Sequence, residues 1–147
     1  MNNYPIWWDT TITLYNKYIN PETGVVTWYR TKLDNCFWLD RSQQAKLGEV
    51  YLDSHNIICR IPENARFKEK FEWVTVPNNE KDQYFTLSPG DIIIKGNINI
   101  DINEYTQGRR SSDLLANTQD RGNMTVDNFN INIGPGRGLP HYHITGV

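Results

Sequence analysis

Cysteine is scarce in this chain: Cys36 and Cys59 are the only two in 147 residues, and each stands among strand-forming neighbours. Two isolated thiols cannot hold a fold together as a secreted disulfide scaffold does, so buried free thiols in a reducing compartment are expected. Long apolar runs are missing as well. The longest purely aliphatic run is Ile92-Ile93-Ile94, far short of the roughly 20 residues that a membrane helix needs. The opening stretch MNNYPIWWDTT has neither a basic leader nor a long apolar segment behind it, so no secretory signal is expected. An excess of one charge is also lacking. The 15 Lys and Arg against 17 Asp and Glu leave a formal net charge of −2, which supplies no global field toward nucleic acid or acidic lipid. In RFKEKFEW, Arg66, Lys68 and Lys70 are interleaved with Glu69 and Glu72, the pattern of a solvated face rather than of a phosphate-tracking groove. No internal repeat of fixed period and no linker divides the chain, and its length suits one domain with one core.

What is present has a period of two. TTITLYNKYI (10–19) alternates, NPETG (20–24) supplies turn residues, and VVTWYRTKLDNCFWL is rich in β-branched and aromatic side chains, so 10–39 reads as one long hairpin or two. EVYLD and NIICRIP read as a further pair, broken at 53–56. FEWVTV is expected to be a strand within an otherwise irregular stretch from 62 to 83. In LSPGDIIIKG the Pro89-Gly90 pair predicts a type II turn. DIIIKGNINIDINEY then reads as one strand with Ile98, Ile100 and Ile102 on one face, able to lie beside NFNINI. In SSDLLANTQDRG a short helix is expected near 112–121, with Ser112 as N-cap, Leu114 and Leu115 facing inward, and Gly122 as its stop. MTVDNFNINIG restores alternation with a slip near Asp127-Asn128 that marks a bulge. LPHYHITGV is the last strand. The expectation is a mainly all-β chain: an N-terminal arm (1–8) and a single small β-barrel or sandwich (9–147) of about 8–10 strands with one short helix.

The candidate chemistry is thin. GPGRG near the C-terminus is followed by a strand rather than by Lys-Ser/Thr and a helix, and Pro135 removes one N–H, so a backbone crossing fits better than a phosphate loop. His141 and His143, at i and i+2 of a strand, leave the same face. They could start a zinc site, but zinc takes three or four ligands and His55 is the only other histidine; an exposed or interfacial face is the other reading. Asp101, Asn103 and Glu104 lack the loop glycine and acid density of a calcium site. Ser111, Ser112 and the two thiols come with no nucleophile motif. No catalytic residue, metal or cofactor is therefore assigned. Arg109-Arg110, ahead of the helix, could meet an anion or an acidic partner, or simply lie in a solvated loop. Adjacent Trp7 and Trp8 cannot both face one side of a strand, which makes the arm a candidate to dock on a neighbour, with burial on its own core as the alternative. The candidate interface residues are thus Trp7, Trp8, Arg109, Arg110, His141 and His143.

TITLYNKY, TGVVTWYRTKLDNCFW, SPGDIIIKG, EYTQGRRSSDLL and GPGRGLPHYHITGV together resemble a family encoded in structural gene modules of prophages from Gram-positive bacteria. In size and β character that family is similar to the head–tail connector (stopper, head-completion) proteins of tailed phages. The resemblance runs from about residue 9 to 147 and carries no catalytic motif. It implies a virion protein assembled in the host cytoplasm that forms a ring of identical subunits below the portal or adaptor and holds the packaged DNA. Its partners would be its own copies, the portal or adaptor and the tail proteins, with DNA passing nearby without sequence-specific binding and no membrane. Other readings are a tail terminator, a minor capsid or decoration protein, or a small β-barrel binding module.

Overall fold

Ile12 and Leu14 alternate with Thr13 and Tyr15 along β1 (Thr10–Ile19), and all four are buried. A strand covered on both faces needs a core on one side and a second layer on the other, and this requirement organises the molecule. The computed structural model describes residues 4–40, 43–47, 50–54, 56–134 and 138–147. β1 forms the expected hairpin with β2 (Val26–Asp40). Its turn is closed by the Gly24 N–H to the Asn20 carbonyl at 2.8 Å, with Gly24 at φ +73°. β2 changes partner along its length: up to Cys36 it pairs with β1, and from Phe37 to Asp40 it pairs with β5 (Ile57–Pro62). Between them, β3 (Gln43–Leu47) and β4 (Val50–Ser54) form a two-stranded sheet of their own. β6 (Ile92–Lys95), β7 (Asn123–Asn132) and β8 (His141–Gly146) complete a closed, wholly antiparallel barrel in the order β1-β2-β5-β8-β7-β6. The fold is therefore the barrel of the two expected forms, with eight strands among the described residues.

The inner faces fill the barrel with Ile12, Leu14, Cys59, Ile93, Met124 and Ile144, each essentially inaccessible to solvent. Both thiols are unlinked and buried; burial pushes Cys36 up to about 12 and Cys59 well above its ordinary value. LPHYHITGV builds the fold: β8 lies between β5 and β7 with Tyr142 and Ile144 inside. The β7–β8 register slips between Val126 and Asn128, as expected. Of GPGRG, residues 135–137 lie outside the described residues, as does His55.

Three elements differ from expectation. β6 ends at Lys95, and the alternating stretch that follows is no strand. Gly96 turns the chain at φ +104°, and 97–103 then crosses the outer face of β1 and β2. Its backbone groups are taken by side chains instead of by a neighbouring strand. Thr13 Oγ1 accepts from the Ile98 N–H at 2.9 Å, Arg30 donates to the Ile98 carbonyl at 2.8 Å, and the Tyr15 hydroxyl donates to the Ile100 carbonyl at 2.6 Å. Ile98 and Ile102 are buried while Ile100 is 41 % exposed, so the crossing buries every fourth residue rather than every second, and it does not pair with NFNINI. The segment FEWVTV opens as a single helical turn, α1 (Lys70–Trp73), because Trp73 is drawn fully inside against Tyr18 and Tyr29. Finally, α2 (Ser111–Asn117) starts earlier than a Ser112 cap would allow, since the Asp113 carboxylate reaches back to the N–H groups of Gly108 and Arg110, and it ends at Asn117, short of 121.

Candidate functional site

The N-terminal stretch folds back on the barrel. The Trp8 N–H donates to the Pro5 carbonyl at 3.0 Å, closing a turn whose tip is Ile6-Trp7. Trp8 is 5 % exposed, stacked on Tyr4 (5.1 Å between ring centroids) and set against Phe37 (6.1 Å) and the edge of His141 (5.7 Å). The Tyr4 hydroxyl in turn donates to the Pro140 carbonyl. Trp8 is thus covered by its own chain and is withdrawn as a free interface residue. Ile6 and Trp7 stay 90 % and 63 % exposed.

His141 and His143 do share the outer face of β8, with ring centroids 6.2 Å apart, but the fold already uses most of their nitrogens. His141 Nδ1 lies 2.6 Å from the Leu139 carbonyl, which can only accept, so this nitrogen carries a proton; Nε2 is then left to accept from Asn132 Nδ2 at 3.4 Å. His143 Nδ1 accepts from Arg60 Nε at 3.3 Å. Burial, followed by the charges of Arg60 and His141, lowers the His143 pKa and favours its neutral form. Among the described residues no cluster of three or more metal-ligating side chains occurs.

Arg109 and Arg110 sit on a loop that is held firmly. The Asn103 N–H donates to the Arg109 carbonyl at 2.8 Å, and the Arg109 N–H to the Thr106 carbonyl at 3.0 Å. Glu104 accepts from the Ser111 N–H at 2.9 Å and from Trp28 Nε1 at 3.1 Å. Burial opposes the Glu104 charge, but these hydrogen bonds outweigh it and lower the pKa. Arg109 lines a pocket of about 450 Å³ between the 98–100 crossing and α2, together with Arg121, a residue that the sequence pattern did not single out. Arg110 is exposed and takes no part in that lining.

Two further features need the fold to be seen. Asn16 lies on the same face of β1 as Ile12 and Leu14, a polar residue turned into the end of the barrel. Its amide donates to the Thr86 carbonyl at 2.7 Å and to Asp91 at 2.9 Å, and its oxygen accepts from the Thr86 N–H at 3.2 Å. Asp91, fully buried, also accepts from the N–H groups of Lys17 and Ser88, each at 3.0 Å. Burial outweighs these donors and nearby Lys70, and pushes the carboxyl up to about 6. The Asp of SPGD was the visible signal; its partner 75 residues away was not. Lys81 is the other feature, a buried ammonium over the rings of Tyr18 (4.6 Å) and Trp73 (5.6 Å), donating to the carbonyls of Val74 and Val76 and to Asn78 Oδ1. Nearby, Phe67, Phe71, Val74, Leu87, Phe129 and Ile131 line an apolar groove of about 410 Å³.

The arrangement defines a class: a small closed antiparallel β-barrel with a filled apolar core. The model of a family of unknown function, DUF6751, matches residues 7–147, and the chain belongs to that family. No curated protein and no solved structure matches the chain.

Proposed function

We propose that the chain is a structural protein of a tailed-phage virion, a head–tail connector component that forms a ring below the portal or adaptor, helps to retain packaged DNA and joins the tail. It acts by packing rather than by catalysis. One observation carries the reading: a barrel with a filled core displays large apolar side chains at separate places, Ile6 and Trp7 on the N-terminal turn and Phe71, 66 % exposed, beside an apolar groove. Such exposure adds nothing to the stability of a lone subunit, and it suits a subunit that neighbours cover on more than one face. Different patches meeting head to tail generate a ring when the rotation closes. The sequence resemblance to prophage structural modules supports the same reading.

The test is quantitative mass spectrometry of purified particles from the phage that encodes the chain, with the portal subunit as internal standard. A ratio on the order of one is expected for a ring. A large excess would move the protein to the shell or tail, and complete absence would overturn the virion reading.

A further inference from the structure

The loop at 103–113 holds an imbalance that the sequence conceals. Three acids nearby are already engaged: Asp113 with the N–H groups of Gly108 and Arg110, Glu104 with Ser111 and Trp28, and Asp101 with Arg30 at 3.0 Å, while exposed Asp120, next to Arg121 in the chain, forms no ion pair with it. Arg109 and Arg121 line one pocket, and among the described residues neither guanidinium has a hydrogen bond or an ion pair. Ile98, Ile100 and Leu114 supply apolar lining, and Asn117 adds an amide. Gly96 leaves room for this arrangement, because a Cβ there would overlap the Arg121 guanidinium. A concave, partly apolar site with two uncompensated planar cations calls for a carboxylate next to a large apolar, preferably aromatic, group.

The chain carries that combination elsewhere. Trp7 and Asp9 flank Trp8, which is turned onto the barrel, and both are exposed. The Trp8–Pro5 hydrogen bond holds the turn, so Ile6 and Trp7 are presented on an ordered element with little left to freeze on binding. Asp9 has no hydrogen bond or ion pair among the described residues. We propose that the N-terminal turn of one copy docks in the Arg109–Arg121 pocket of a second copy, with Trp7 against the apolar lining and a guanidinium face, and Asp9 meeting the two arginines. The two surfaces differ, so the contact is heterologous and propagates from copy to copy. It supplies a subunit contact for the ring proposed above and rests on that reading only for its biological setting.

A charge-swap mixing experiment tests it, read by sedimentation velocity and native mass spectrometry on the full chain. The unmodified chain self-associates as its concentration rises. Asp9→Arg and Arg121→Glu, made separately, each weaken that association by about tenfold or more, because like charges then meet. Mixing the two variants restores it, since each then offers what the other lacks. Recovery on mixing also shows that both variants are folded. A chain that stays monomeric at every concentration overturns the proposal, as do variants that associate like the unmodified chain or mixtures that fail to recover. Salt-sensitive retention of single- or double-stranded DNA that Arg121→Glu abolishes and Asp9→Arg leaves intact, without self-association, would replace the turn by a phosphate backbone and overturn it too. The two readings fail separately: particles with the expected portal ratio but no mixing effect reject this contact alone, and mixing recovery in a chain absent from particles rejects the virion setting alone.

Discussion

The two sides of β7 are built in different ways. Toward β8 the ladder runs from Val126 to Asn132 and is interrupted once, by the bulge. Toward β6 it is three pairs long, Ile92–Thr125, Ile93–Met124 and Ile94–Asn123. Next to this short seam stands the polar cluster of Asn16, Asp91 and the Thr86 backbone, fully buried and tying β1 to the chain that leads into β6. Backbone amides join both sides, with bonds from Gly90, Val126 and Lys95 extending the short ladder at its ends; only the short side has buried polar side chains braced beside it, binding β1 to the 86–91 segment. The ladder side tolerates change in outward-facing residues but not in backbone spacing, and the seam side depends on individual polar atoms.

Breaking the ladder side gives the largest effect. A Cβ at Gly146 would overlap the Thr125 carbonyl oxygen and crowd Met124. Gly146→Val is expected to cost about 4 kcal/mol or more, with little soluble folded protein recovered. Denaturant unfolding of whatever folds measures it. On the seam side, Asn16→Ala removes two donors and an acceptor from buried partners and is expected to cost about 3 kcal/mol, read from the shift in urea midpoint at constant slope.

The smallest effect, and the most specific, is on pH. The Asp91 carboxyl titrates near 6 in the fold, against 3.8 for its ordinary value. Between those values the folded chain holds a proton that the unfolded chain has released. The protonated form therefore contributes stability that is full below about pH 4 and is lost as pH rises through about 6, on the order of 2 to 3 kcal/mol in all. Asp91→Asn is expected to flatten that dependence relative to the unmodified chain in urea titrations at pH 4.5, 6 and 7.5. An identical dependence in both proteins would remove Asp91 as its origin.

What could be read from the sequence follows the range of the forces involved. The β1–β2 hairpin, the Ser88–Asp91 turn with Gly90 at φ +96°, the bulge in β7 and the last strand rest on neighbours in the chain, and all appear where alternation and turn chemistry place them. The crossing at 97–103 alternates as well as any strand; what decides it is that Thr13, Tyr15 and Arg30 reach its backbone first. FEWVTV became a helical turn because of an aromatic pocket made by Tyr18 and Tyr29, some fifty residues earlier. For the surface, Arg109 and Trp7 stood out by composition. Arg121 did not, and neither did the feature that makes the pair of arginines notable, namely that among the described residues neither forms an ion pair. Trp7 and Trp8 are the same residue type in adjacent positions, and only the fold separates the one that is buried from the one that is displayed.

The point where β2 hands over to β5 has a consequence for how the protein can vary. Asp40 and Ile57 are direct cross-strand partners, so the chain leaves the barrel and re-enters it at two positions already one strand spacing apart. Among the described residues of the excursion between them, β3 and β4 pair with each other and with no strand of the barrel. Closing a longer loop costs only about 0.6 kcal/mol per doubling of its length. Related chains can therefore shorten, extend or exchange this stretch while the barrel stays in register. It is the place to splice in a tag or a foreign hairpin, and the first place to look for divergence between relatives that must fit different neighbours.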